Sequence, residues 1–223
     1  MAQRADRRPR GGGRRRDAGE PGSGPDAPGL RERKKQRTRR AIEDVALARF
    51  AERGFDAVTV EEIAAAADVS PRTFFHYFPT KEDVVLADYG ERLARIVEVL
   101  AGRPPGEPSL RAVRSAFLTV ATDYEEARER LLPRFSVMAE TPSVLARSLQ
   151  LQAGWEDAVA RTVAERAGVD GDDLEPRLLA GAALAAMRAS LRTWLAAGGW
   201  PRLPDLVAEC FDRLERGLGG EPR

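Results

Sequence analysis

The chain has 223 residues, enough for one ordinary core or for a small domain joined to a larger one. Its single cysteine, Cys210, excludes an internal disulfide framework, and no grouping of cysteine, histidine and carboxylate has metal-ligand spacing, so neither a metal nor a cofactor is expected. The net charge of +1 conceals an asymmetry: residues 1–40 hold 14 Arg or Lys against 5 Asp or Glu, a net of +9, and the remainder holds 22 against 30, so the basic end should seek a polyanion.

Alanine, leucine, arginine and glutamate outnumber β-branched and aromatic residues, which biases the chain to helix. The longest apolar run, Leu178 to Met187, is too short to span a bilayer, and no apolar run follows the arginine-rich N-terminus. A soluble, cytoplasmic, all-α protein is expected.

Residues 1–28 combine glycine, proline and charge with almost nothing apolar, so they cannot offset the entropy of ordering. They read as a disordered basic arm, either the product of an upstream start codon or a solubilising tail, or an arm that grips DNA phosphates or the minor groove. A helix follows over Leu30 to Arg53, with Ile42, Val45, Ala46 and Phe50 on one face. Gly54 should cap it in the left-handed region, and Phe55 should fold back on its last turn.

Thr59-Val60-Glu61-Glu62 opens a second short helix with a capping box, flanked by Val58 and Ile63 as a hydrophobic staple. That helix ends near Ala67, and Ser70 with Pro71 starts a third only a few residues later. Two short helices across a tight turn make a helix-turn-helix. Thr80 then caps a helix expected to run unbroken to Leu100, until GRPPGEP (102–108) ends it. Further helices are expected over 109–131, 133–140, 142–167, 175–197 and 203–217, with a loop at GVDGDD.

The third helix carries four aromatics and the only histidine, His76. At 100° per residue Phe74 and Phe78 share the face that must plug a core made with Ile42, Phe50 and Ile63. Arg72, Thr73 and His76 fall opposite, with Phe75 and Tyr77 on the flanks. A short anchored helix presenting these groups suits a DNA major groove, where arginine bonds guanine edges and the others reach phosphates, sugars or a thymine methyl. Thr38, Arg39, Arg40, Thr59, Ser70 and Lys81 are the expected backbone-contacting groups. Each also has a plainer reading: Thr59 as a cap only, Lys81 as a solvated lysine, His76 as an exposed side chain.

TVEEIAAAADVSPRTFFHYFPTKEDVV, residues 59–85, resembles the DNA-binding signature of TetR-type transcriptional regulators, and the resemblance extends over about residues 35–87. Asp68 stands where that family usually has glycine in the turn, a position aspartate tolerates. Phe75 stands where tyrosine is frequent, which removes one hydroxyl. After the arm over 1–28, the resemblance implies a helix-turn-helix domain over 29–86 and a helical ligand-binding and dimerisation domain over 87–218, and a disordered tail is expected over 219–223. It further implies a homodimer on a palindromic operator, acting as a repressor that a small hydrophobic molecule releases. TFFHYFPTKEDVVL together with RASLRTWL is similar to an actinobacterial subgroup responding to acyl-CoA-like effectors.

The residues permit this organisation. Leu203, Leu206, Val207, Cys210, Phe211, Leu214 and Leu218 form an apolar stripe near the chain end, and Leu179, Ala183, Met187, Leu191 and Trp194 form another on the preceding helix. Paired across a two-fold axis they would make a four-helix bundle; alternatively both face the protomer's own core. Phe117, Tyr124, Phe135, Met138, Leu149, Trp155 and Met187 are candidates to line a ligand cavity, and each is also an ordinary core residue. An enzyme is disfavoured, because His76 lies on the outward face of the third helix and Cys210 in an apolar stripe. A DNA binder that ignores ligands would differ only in whether the C-terminal core is hollow.

Overall fold

The computed structural model describes residues 29–217. The basic arm expected over 1–28, the tail over 219–223 and Leu218 lie outside the described residues. Ten α-helices and no strand occur among the described residues.

The first, α1 (Leu30–Arg53), stops at Gly54, which takes φ 82°, and the Phe55 ring folds back to 4.8 Å from Phe50. Helix α2 (Val60–Ala66) starts with both arms of the capping box: the Thr59 amide donates to Glu62 Oε2 (2.9 Å) and the Glu62 amide to Thr59 Oγ1 (3.2 Å). Asp68 makes the turn with φ 54°, the left-handed conformation its short polar side chain tolerates. Helix α3 (Pro71–Tyr77) has Pro71 in its first turn and Ser70 Oγ accepting from the Thr73 amide (3.1 Å). Helix α4 (Lys81–Val85) carries a second capping box, Thr80 with Asp83.

These four helices close on a small core in which Ile42, Ala46, Phe50, Ile63, Phe74 and Phe78 are all buried. The larger part comprises α5 (Tyr89–Ala101), α6 (Ser109–Glu126), α7 (Arg128–Glu140), α8 (Pro142–Ala167), α9 (Leu174–Ala196) and α10 (Leu203–Arg216). Here α8 packs on α9, α10 on α6 and α9, and α5 on α6 and α8. The two parts meet where α1 and α4 pack on α7 and α4 packs on α8.

Two expected boundaries are corrected. The helix expected from Thr80 to Leu100 is broken at Leu86–Asp88. In an unbroken helix Val84 O and Val85 O would accept from residues 88 and 89; here Arg134 Nη1 approaches both, at 3.4 and 3.1 Å, and Arg39 Nη2 takes Ala87 O at 2.7 Å. The break expected at Pro133 falls instead at Ala127. Pro133 sits in the second turn of α7, where it has no amide to donate to Glu129 O, and the helix continues through it.

Candidate nucleic-acid interface

The outward surface of α3 exists because of what its other side is tied to. Phe74 is fully buried and Phe78 nearly so, their rings 5.8 Å apart, and together they seat the helix on α1 and α2. Arg72, Phe75 and His76 are exposed, and Thr73 and Tyr77 half-buried. Phe75 keeps 50% of its surface in solvent, its ring edge-on to Phe74. The His76 and Tyr77 rings meet edge to face at 5.3 Å. Arg72 makes no hydrogen bond or ion pair among the described residues, so its five donors are available. Two exposed rings, Phe75 and His76, and the half-buried Tyr77 beside an unpaired guanidinium can supply bidentate base contact, sugar stacking and phosphate hydrogen bonds.

The flanking groups divide. Thr59 and Ser70 are exposed caps whose hydroxyls already serve α2 and α3, and Ser70 Oγ also lies 2.8 Å from Thr73 Oγ1. Thr38 back-bonds to Lys34 O at 3.1 Å, while Arg40 is exposed.

Arg39 differs from its expected role as a phosphate ligand. Its Nε pairs with Glu43 Oε1 (3.1 Å), its Nη2 bonds Ala87 O, and its Cζ lies 5.4 Å from the Phe78 ring centroid. It fastens α1 to the end of α4. Lys81 is neither a solvated lysine nor a free phosphate ligand: Nζ donates to Phe55 O (2.8 Å) and Val58 O (2.9 Å), committing two of its three donors to the α1–α2 loop.

Of the seven cavity candidates, Phe117, Tyr124, Phe135, Trp155 and Met187 are buried and Met138 partly so. They pack as core: Phe117 against Phe211, Tyr124 against Phe135, Trp155 against Tyr89. Leu149 is 47% exposed and is corrected to a surface residue on α8. A cavity of about 500 Å³ does occur, but at the junction of α1 with α5, α6 and α7, and only Tyr124 of the seven lines it.

The expected dimer stripes also divide. Ala183, Trp194, Leu203, Val207 and Phe211 are buried within the protomer, because α10 lays that edge against α6 and α9. Leu206, Cys210 and Leu214 on α10, and Leu179 and Leu191 on α9, remain partly exposed. Leu178 is 64% exposed.

The sequence reading missed a buried polar cluster. Arg134 on α7 is 6% exposed and bonds Glu43 Oε2 (3.1 Å) and Asp88 Oδ1 (3.3 Å); Arg92 on α5 is 8% exposed and bonds the same Asp88 oxygen (2.9 Å). No periodicity marks these arginines, since a buried ion pair looks like a polar interruption of an apolar face.

The profile described as bacterial regulatory proteins of the tetR family matches residues 42–87, and that described as the MftR C-terminal domain matches residues 107–219. The chain belongs to the TetR family. TcmR, an HTH-type transcriptional regulator of Streptomyces glaucescens, is 35% identical over 77% of this chain and 79% of its own. MftR of Mycobacterium tuberculosis, named as a transcriptional regulator of mycofactocin biosynthesis, is 31% identical over 83% of this chain and 93% of its own. Among solved structures, Thermus thermophilus FadR, a TetR-family repressor in complex with lauroyl-CoA, is 28% identical, with a TM-score of 0.52 over 83% of this chain and 97% of its own. As a TetR-family protein this chain is a DNA-binding transcriptional regulator and not an enzyme. Among the described residues no helix is long and apolar enough to cross a membrane.

Proposed function

We propose that this TetR-family regulator is a homodimeric repressor that a small hydrophobic or acyl-type ligand releases from a palindromic operator. The observation that carries the reading is the division of α3: Phe74 and Phe78 are locked in the core while Arg72, Phe75 and His76 are exposed, with Thr73 and Tyr77 half-buried beside them. Two such helices, about one DNA turn (~34 Å) apart, enter successive major grooves. Thr38, Arg40, Thr59 and Ser70 contact the flanking phosphates. Arg39 and Lys81 act one step behind, holding α4 and the α1–α2 loop in place.

Dimerisation uses the partly exposed edge of α10, Leu206, Cys210 and Leu214, with Leu178, Leu179 and Leu191 of α9. The acyl-type ligand is supported by the lauroyl-CoA bound to Thermus thermophilus FadR. Such a ligand lowers DNA affinity by as much as it prefers a dimer geometry that mismatches the operator.

Fluorescence anisotropy with promoter fragments from the protein's own locus tests the reading. The wild type binds one fragment at least ~10³-fold tighter than random duplex, and lauroyl-CoA weakens that binding. Arg72→Ala forfeits most of the preference and leaves random-duplex affinity unchanged. Equal losses on both DNAs, or indifference to every fragment, would overturn it.

A further inference from the structure

The cavity where α1 meets α5, α6 and α7 has the size of a small-molecule site and a mixed lining. Leu47, Tyr124 and Leu131 give it an apolar side; arginines and carboxylates form the rest. Two buried guanidinium groups, Arg92 and Arg134, and the one-third-exposed Arg39 share two carboxylates, Glu43 and Asp88. Each guanidinium bonds a carboxylate, yet the three cations outnumber the two anions by one.

Arg92 is where the deficit is sharpest. It is nine-tenths buried, and its Nε has neither a hydrogen-bond partner nor solvent contact. The Tyr89 and Phe135 rings lie 4.8 and 5.1 Å from its Cζ, which favours the cation but supplies no proton acceptor. A buried guanidinium donor left unbonded is costly, and an anionic oxygen is what it lacks. Towards the rim Arg40 and Arg130 have no hydrogen-bond or ion-pair partner among the described residues, against the similarly unpaired Asp44 and Glu91. Tyr124 lines the same cavity, and its phenol can donate to an anion as well.

We propose that this junctional cavity is an anion subsite for a small amphipathic effector, whose carboxylate or phosphate pairs with Arg92 and Arg134 while its apolar part lies along Leu47, Tyr124 and Leu131. The same arginines hold the molecule together. Arg134 bonds Glu43 of α1 and the carbonyls at the end of α4, so an anion competing for its donors loosens α7 from the two helices that carry the helix-turn-helix. The effect on DNA rests on the ligand-release reading above; the binding does not.

Isothermal titration of the full chain with octanoate, octyl phosphate and 1-octanol tests this. At least one anion binds once per protomer, and the alcohol of equal chain length binds at least tenfold more weakly; the two anion arms separate carboxylate from phosphate. Arg92→Gln lowers anion affinity about tenfold and leaves the alcohol unaffected. Arg130→Gln, at a rim position with no internal bond to lose, lowers it a few fold and keeps the test valid if Arg92→Gln folds poorly. Equal binding of anion and alcohol, anion binding unchanged in both variants, or no anion binding at millimolar concentration would overturn the subsite. Should the anion bind through Arg92 without altering operator affinity, the subsite stands and the release reading falls. Should octanoate release the operator equally well from Arg92→Gln, the release reading stands and the subsite falls.

Discussion

The Lys81 ammonium lies 4.2 Å from the Phe55 ring centroid and donates to the Phe55 carbonyl at 2.8 Å. With its second bond to Val58 O, it pins the loop between α1 and α2 to the start of α4. Lys81→Met keeps most of the stem and removes the donor. Two carbonyls then lose a charged partner, so stability falls by about 1–3 kcal/mol in urea denaturation. DNA affinity falls by the same factor on operator and random duplex, because the change is in the scaffold and not in a base contact. No change in the unfolding midpoint would mean the ammonium is held too weakly to matter.

Phe74 and Phe75 are neighbours with opposite consequences. Phe74 is fully buried, and Phe74→Ala should cost about 3–5 kcal/mol, enough to unfold the N-terminal helices near room temperature. Phe75 keeps half its surface in solvent, so Phe75→Ala should cost about 1 kcal/mol or less in stability while weakening operator binding. Thermal denaturation and anisotropy on the same preparations separate the two. Parallel losses would place Phe75 in the core instead.

Much of this arrangement was legible in the residue order because it is locally encoded. Thr59 with Glu62, Ser70 with Pro71, and Gly54 with Phe55 each act within a few residues, and the i, i+4 pair Phe74 and Phe78 fixes which side of α3 turns inward. What was not legible depends on partners distant in sequence. Arg134 takes the Val85 carbonyl, where the helix stops, from 49 residues away, and Arg39 reaches Ala87 across 48. The α10 stripe was read as one surface, yet Val207 and Leu206 are adjacent and divide between core and rim. Periodicity finds an apolar face without naming what covers it.

That division predicts a separation at α10. Val207 is fully buried and Leu206 partly exposed. Val207→Ala should lower stability by about 2 kcal/mol through lost burial and an incompletely filled cavity, leaving subunit association intact. Leu206→Glu should leave the protomer folded by circular dichroism but raise the dimer dissociation constant at least roughly tenfold, since a carboxylate desolvated at a self-complementary interface meets its own copy. Analytical ultracentrifugation over a concentration series reads the difference. An unaltered dimer in Leu206→Glu would move the interface off this edge of α10.

Glu62 gives the helix-turn-helix a pH dependence of known sign. The Thr59 amide, followed by the Arg53 guanidinium at 2.8 Å, holds its carboxyl down at about 2 from the ordinary 4.5. A depressed native pKa means the charged cap contributes fully above about pH 4.5, and its contribution drains away as pH falls through about 2. Glu62→Gln keeps an acceptor for the Thr59 amide but not the charge, so the wild type should be the more stable protein at pH 6. The gap in melting temperature between them should narrow steadily from pH 4.5 towards pH 2, and the Glu62 carboxyl carbon should titrate near 2 by NMR. A gap that stays constant across this window would show that the capping box works through geometry alone.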